Sequence, residues 1–246
     1  MLSLQDYQAQ IDEILSINSV ESSYSYELYT DLINEQRALW IRNEYNKNRS
    51  IDPYIIQTLS CLELELVDPI QCCIAVPTNC KVLRTKKKIP NTIEFFFTKG
   101  ITSVGPADIL KPRFILIDYS RVPYAGNGRT TQKAIYSFFY DGYMYVFSKN
   151  SITNLLKYIT IRGLFEDPTA LGDYINCETN QTCWKPSDMY PINQWMWAYM
   201  KPYIIQQLTQ KAMFSFDDAN NAEDQRAEGS GATNSTITGN NAKGGE

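Results

Sequence analysis

The sequence predicts an α+β fold in which N- and C-terminal helices pack together around an inserted antiparallel β-rich module, followed by a disordered C-terminal tail. Three observations predict it. Apolar side chains recur at three- and four-residue steps near both ends of the ordered part, alternate with a period of two in the middle, and all but vanish beyond residue 216.

The first helix opens on Ser3 and Asp6, which have capping-box spacing, and carries Leu4, Tyr7, Ile11, Ile14 and Leu15 on one side. Asn18 and Ser19 end it. A longer second helix runs from about Tyr24 to Tyr45. Tyr26, Tyr29, Leu32, Ile33, Leu39 and Trp40 form its apolar face, with Gln36 interrupting, while Glu27, Asp31, Glu35, Arg37 and Arg42 decorate the remainder. Asp52 and Pro53 start a short third helix, Asp as cap and Pro in the first turn.

The period then changes. Leu62, Leu64 and Leu66 alternate with Glu63, Glu65 and Asp68, which is the pattern of a half-buried strand. Further strands are predicted over 81–84, 92–98, 113–119 and 157–164. The sharpest local signal is a hairpin over 135–148, whose Asp141-Gly142 turn supplies the positive φ of a two-residue type I′ connection. That turn sets a register pairing Tyr140 with Tyr143, Phe138 with Tyr145 and Tyr136 with Phe147. A helical turn near 167–174 and a loop bearing Cys177 and Cys183 follow. Helix returns at Pro191, with Ile192, Trp195, Met196, Tyr199, Tyr203, Ile204 and Leu208 at helical spacing. Pro202 inside this run is expected to kink or split it. The chain thus divides into N-terminal helices over 1–59, a β-rich module over 60–184, a C-terminal helix over 185–214 packing against 1–59, and a flexible tail over 215–246.

Composition excludes several functions. Among 246 residues there is no histidine, which removes the commonest general base and metal ligand, and with them any Ser-His-Asp or Cys-His mechanism within one chain. The net charge of −4 resides in the stretch from Asp217 to Glu246, so the body is formally neutral. Gripping phosphate wants a basic surface instead. Gly, Asn and Ala supply half of that terminal stretch, which cannot offset its ordering entropy. The start shows no basic region followed by an apolar core, and no apolar run approaches a membrane span. Cys61, Cys72, Cys73, Cys80, Cys177 and Cys183 read as buried thiols of a protein kept in a reducing cytosol. Without Cys-x-x-Cys or His, a zinc site would need four scattered thiolates to converge. Disulfides remain open should the protein meet oxidising surroundings.

Other motifs have plainer readings beside their functional ones. Lys81, Arg84, Lys86, Lys87 and Lys88 form a run without acids, either a contact for phosphate or an acidic partner, or a solvated loop. The aromatic hairpin is either a base-stacking platform or core and interface. Gly126-Asn127-Gly128-Arg129-Thr130-Thr131 lacks the Gly-Lys-Ser/Thr ending of a phosphate loop and reads as a turn. Glu63 and Glu65 point the same way from one strand, as metal-binding acids would, although an exposed strand face explains them equally. No catalytic constellation emerges, and no cofactor or metal is implied.

The segment Tyr29-Thr30-Asp31-Leu32-Ile33-Asn34-Glu35-Gln36-Arg37-Ala38-Leu39-Trp40-Ile41-Arg42-Asn43-Glu44-Tyr45-Asn46 resembles the second helix of ring proteins in crAss-like phages, which are distantly similar to podoviral head-completion adaptors. Leu62 to Cys73, Pro191 to Leu208, and Asp217 to Asp224 resemble them too. The likeness covers about a third of the chain and includes no catalytic motif; the β-rich middle departs from the mostly helical short adaptors. The resemblance implies a structural, non-enzymatic protein of the virion neck or tail, made in the host cytoplasm. It implies a connector ring of twelve copies docked on the portal protein and touching further neck or tail proteins. Genomic DNA would pass through without sequence recognition, and no membrane is involved. Trp40, Tyr203, Met213, Phe214 and Phe216 are the expected interaction residues, the last three anchoring the tail to a neighbour. The alternatives are a nucleic-acid-binding module built on the aromatic hairpin and the 81–88 run, and a histidine-free enzyme using carboxylates or tyrosines.

Overall fold

The computed structural model describes residues 2–18, 24–47, 50, 52–68, 82–96, 99–108, 110–148, 156–176 and 179–210. The chain divides into two units, Met1–Ile204 and Ile205–Glu246. Among its described residues the first contains two helices, α1 (Leu4–Asn18) and α2 (Tyr26–Asn46), then seven strands, and at its end the beginning of a third helix, α3, from residue 194. Of the second unit the described residues are 205–210, which are helical.

The expected α+β class is what the structure has. The capping box forms at α1: Asp6 N–H donates to Ser3 Oγ at 3.2 Å, and Ser3 N–H donates back to Asp6 Oδ2 at 2.8 Å. The bonds that the Ser3 N–H and then the Ser3 hydroxyl donate to Asp6 Oδ2 favour the carboxylate, so the Asp6 pKa lies below its ordinary value. Leu4, Tyr7, Ile11 and Leu15 are buried. Gln8 ties α1 to α2 by donating to the Tyr26 carbonyl at 3.1 Å and to Thr30 Oγ1 at 2.7 Å.

The buried face of α2 differs from the expected one. Tyr26 is 65% exposed and Leu39 44%, whereas Asn34, Gln36, Arg37 and Ile41 are buried. Arg37, expected on the solvent side, is wholly buried. The reason is geometric: 29, 33, 37 and 41 share one stripe at steps of four, and once Tyr29 and Ile33 face inward Arg37 must follow. Asp52 caps only a 3-10 turn, Pro53–Ile55, by accepting from Tyr54 N–H at 3.0 Å.

The strands form one sheet in the order β3-β7-β1-β2-β6-β5-β4, antiparallel except for β4 beside β5. Its organiser is β1 (Gln57–Val67). The first half of β1 pairs with β7 (Tyr158–Gly163) and the second half with β2 (Val82–Thr85). Within the half that pairs with β7 the register shifts between Leu59 and Leu62, with Cys61 at φ 59°. Such a bulge bends the strand. The outermost strands, β3 (Ile101–Pro106) and β4 (Ile115–Leu116), approach each other: Phe114 N–H, beside β4, donates to the Val104 carbonyl at 2.8 Å. Ile159, Ile161, Val104, Leu59, Met144 and Val146 are fully buried.

The hairpin β5 (Tyr136–Tyr140) and β6 (Tyr143–Phe147) has the expected register, with Asp141 at φ 48° and Gly142 at φ 78°. Two of the three aromatic pairs stack, Phe138 on Tyr145 at 5.1 Å and Tyr136 on Phe147 at 5.5 Å. Tyr140 turns instead to Tyr119, stacked at 4.5 Å, and the Tyr143 ring receives the Arg84 guanidinium at 4.5 Å.

Several boundaries move. Of the strand expected over 92–98, residues 92–96 make only isolated bridges, Thr92 with Phe165 and Glu94 with Lys99, and 97–98 lie outside the described residues. The strand expected over 113–119 shortens to β4, after which Tyr119–Tyr124 form a 3-10 turn. Strand β3 was not expected, because its Gly105-Pro106 ending reads as a loop; at a sheet edge proline is tolerated. Helix α3 begins at 194 rather than 191, and Pro202 does not interrupt it. The carbonyl deprived of its donor belongs to Ala198, and both residues are exposed, where water can replace the lost bond. The expectations for the tail over 215–246 lie outside the described residues.

Candidate subunit-contact surfaces

Two helices build the main candidate surface. Trp195, Tyr199 and Tyr203 follow one another at steps of four, so α3 presents them along one stripe. Trp40, from α2, stacks on Tyr199 with centroids 5.5 Å apart and reaches Tyr203 at 6.4 Å. Trp195 meets Tyr199 edge-on at 6.4 Å. The four rings are contiguous, yet Tyr199 is 58% exposed, Tyr203 53% and Trp195 44%. Large amphipathic rings held in a row at the surface are the residue types that dominate protein interfaces.

The frame beneath is rigid. Trp197 Nε1 donates to Gln10 Oε1 at 2.9 Å, and the Trp197 and Tyr7 rings lie 4.4 Å apart. Tyr190, fully buried, donates to Asn34 Oδ1 at 2.6 Å. The aromatic rings therefore stand on side chains that α1, α2 and α3 lock together.

Of the expected interaction residues, Trp40 and Tyr203 come together here. Met213, Phe214 and Phe216 lie outside the described residues. Trp195 and Tyr199 were not singled out, although their spacing of four from Tyr203 carries the signal.

The features of the nucleic-acid alternative are otherwise engaged. Tyr136, Phe138, Tyr145 and Phe147 are buried beneath Val122 and Ala125, so bases have no access to their faces. In the basic run, Arg84 is paired with Glu65, and Lys86 with Glu63 at 2.9 Å. These partners favour the charged forms and raise both pKa values. Lys87 donates to the Asp173 carbonyl at 3.4 Å, and Lys88 Nζ lies 5.6 Å from the Tyr143 ring centroid. Lys81 is outside the described residues. Glu63 and Glu65 are thus spent on cations rather than gathered around a metal. The 126–131 segment is a turn, with Thr131 Oγ1 accepting from Gly128 N–H at 3.1 Å.

Among the described residues no three Cys, Asp or Glu side chains are grouped to hold a metal ion, and no helix is long and apolar enough to cross a membrane. The thiol expectation holds for Cys183, whose pKa burial pushes up, but not for Cys61, which is disulfide-bonded. Which sulfurs meet depends on the path of the chain through space, which residue spacing does not encode.

The family model of phage tail ring protein 2 matches residues 10–226, nearly the whole chain. The chain belongs to the phage tail ring protein 2 family. No curated protein matches it. The ring protein is accordingly a structural component of the virion of a crAss-like phage, a subunit that associates with copies of itself and with other tail or neck components. A ring closed by rotation joins each subunit to its neighbours through two different patches, so the ring protein must carry two complementary faces.

Proposed function

We propose that the ring protein forms the connector between portal and tail, a ring of twelve copies whose lumen continues the DNA channel. The observation that carries this reading is the half-exposed row of Trp195, Tyr199, Tyr203 and Trp40 on a locked helical frame. Such a surface serves durable contact between proteins. In this reading residues 1–59 and 185–214 are the assembly frame, 60–184 the inserted module and 215–246 the tail. Met213, Phe214 and Phe216 anchor the end of the chain to the portal. A formally neutral body suits a channel through which DNA must slide without being gripped.

Electron microscopy of the purified protein mixed with portal tests the reading. The expected image is a twelvefold ring seated on the portal; a chain that stays monomeric and ignores the portal overturns it. Deleting residues 203–246 is expected to abolish portal binding, and unchanged binding would remove the proposed anchor.

A further inference from the structure

The described residues hold two exposed surfaces of opposite charge whose charges have no ion-pair partners. The first is a groove of about 530 Å³ beside α2. Asp31 and Glu35, one helical turn apart, line it from α2, and Glu94 and Glu166 line it as well, with Leu39 among its apolar side chains and Arg42 as the single cation. Among the described residues none of these four carboxylates makes an ion pair. Like charges at a spacing of four destabilise a helix, so this face of α2 is suited to a positive partner.

The second surface is the segment from Tyr119 to Tyr140, which contains no acid. Arg121, Arg129 and Lys133 are exposed on it and make no ion pair among the described residues, and Tyr124 between them is 77% exposed. The segment is not a loose loop. Gln132 N–H donates to the Gly128 carbonyl at 3.1 Å, and the Tyr136 hydroxyl donates to the Thr131 carbonyl at 3.2 Å. Gly126 takes the turn at φ 74°. A protrusion fixed in advance loses little entropy on docking, and arginine beside tyrosine is a favoured anchor at interfaces. Lys86, Lys87 and Lys88 are weaker candidates for this role, because each already has a partner within the chain.

We infer that the Arg121–Lys133 protrusion of one copy docks into the acidic groove beside α2 of the next. This rests on the ring reading and deepens it, since it supplies the two unlike faces that a head-to-tail ring requires. Charge complementarity of this kind sets register and partner choice as well as adding attraction.

A charge-exchange experiment on the full chain tests it. One variant, Glu35→Lys with Glu94→Lys, reverses the groove; the other, Arg121→Glu with Arg129→Glu, reverses the protrusion. All four positions are exposed, so circular dichroism and melting should match wild type. In analytical ultracentrifugation with electron microscopy, each variant alone should assemble about tenfold or more weakly. An equimolar mixture should recover rings, because the reversed groove of one variant fits the reversed protrusion of the other. Wild-type rings should also weaken as salt rises. Rings formed normally by either variant alone, or a mixture that fails to recover, overturn this contact while leaving the ring reading intact. Variants that form rings but no longer bind portal would assign the groove to another protein and overturn the contact between copies. A wild-type chain that never forms rings, alone or with portal, overturns the ring reading and this contact with it.

Discussion

Arg37 donates from Nε to the carbonyl oxygen of Pro191 at 2.8 Å, joining the middle of α2 to the approach to α3 across 154 positions of sequence. Its Nη1 donates to the Phe165 carbonyl at 2.7 Å, just after β7. One buried guanidinium therefore binds the helical frame to the sheet. Burial disfavours its charge and lowers its pKa, while Tyr190 and Asp167 oppose that shift. Arg37→Ala should destabilise the protein by about 3–5 kcal/mol, since it strands two buried carbonyls and opens a cavity. Arg37→Met keeps most of the volume and should cost less. Urea unfolding of the two variants checks the order.

Gly142, the one glycine of the hairpin, should resist substitution. At φ 78° a side chain is strained, and an added Cβ would meet the Lys88 side chain at 3.3 Å. Gly142→Ala is expected to cost about 1 kcal/mol, read as a lowered melting temperature. Asp141→Gly, at the neighbouring positive φ, should be close to neutral. Equal effects of the two would contradict the turn assignment.

The aromatic row should matter for assembly more than for folding. Tyr199→Ala and Tyr203→Ala remove half-exposed rings, so each should cost no more than about 1 kcal/mol in stability. Their effect on ring formation should be about tenfold or greater, as for central interface aromatics. Sedimentation of wild type and variants at equal concentration separates the two. Variants that assemble normally would dismiss the row as an interface.

Alkaline pH should weaken the fold. The Tyr29 phenol is pushed up to about 12, chiefly by burial and then by Asp12, whose Oδ1 accepts its hydroxyl at 3.2 Å. Tyr190 is raised as well, again chiefly by burial and partly opposed by Arg37. Unfolded phenols ionise near pH 10 while these stay protonated in the folded chain. Their contribution is therefore complete below about pH 10 and is lost as pH rises toward and beyond 12, by up to about 1.4 kcal/mol per pH unit for each group. Tyr29→Phe should flatten that decline. A stability curve that is level between pH 10 and 12 would contradict the burial of both phenols.

Much of the local structure was legible in the residues. Ser3 and Asp6 announced the start of α1, and Asp141-Gly142 determined the hairpin register, because capping and turn geometry depend on neighbours in sequence. Features that depend on what covers a surface were less legible. The pattern of α2 put Leu39 inward and Arg37 outward, and the packing of Tyr29 and Ile33 reversed both. Strand β3 was invisible because its pairing with β7 comes from partners 53 or more positions away, such as Ser103 with Arg162.

By itself the sequence determined the α+β class, the capped helix, the tight turn and the lack of histidine chemistry, since each follows from short-range sterics or residue type. Only the tertiary structure decided that the hairpin rings are core, that Trp40 joins Tyr199 and Tyr203 at the surface, and that Asp31, Glu35, Glu94 and Glu166 make no ion pair among the described residues. Exposure and charge pairing belong to surfaces assembled from distant segments. A residue's own neighbours in sequence cannot specify which of its faces another part of the chain will cover.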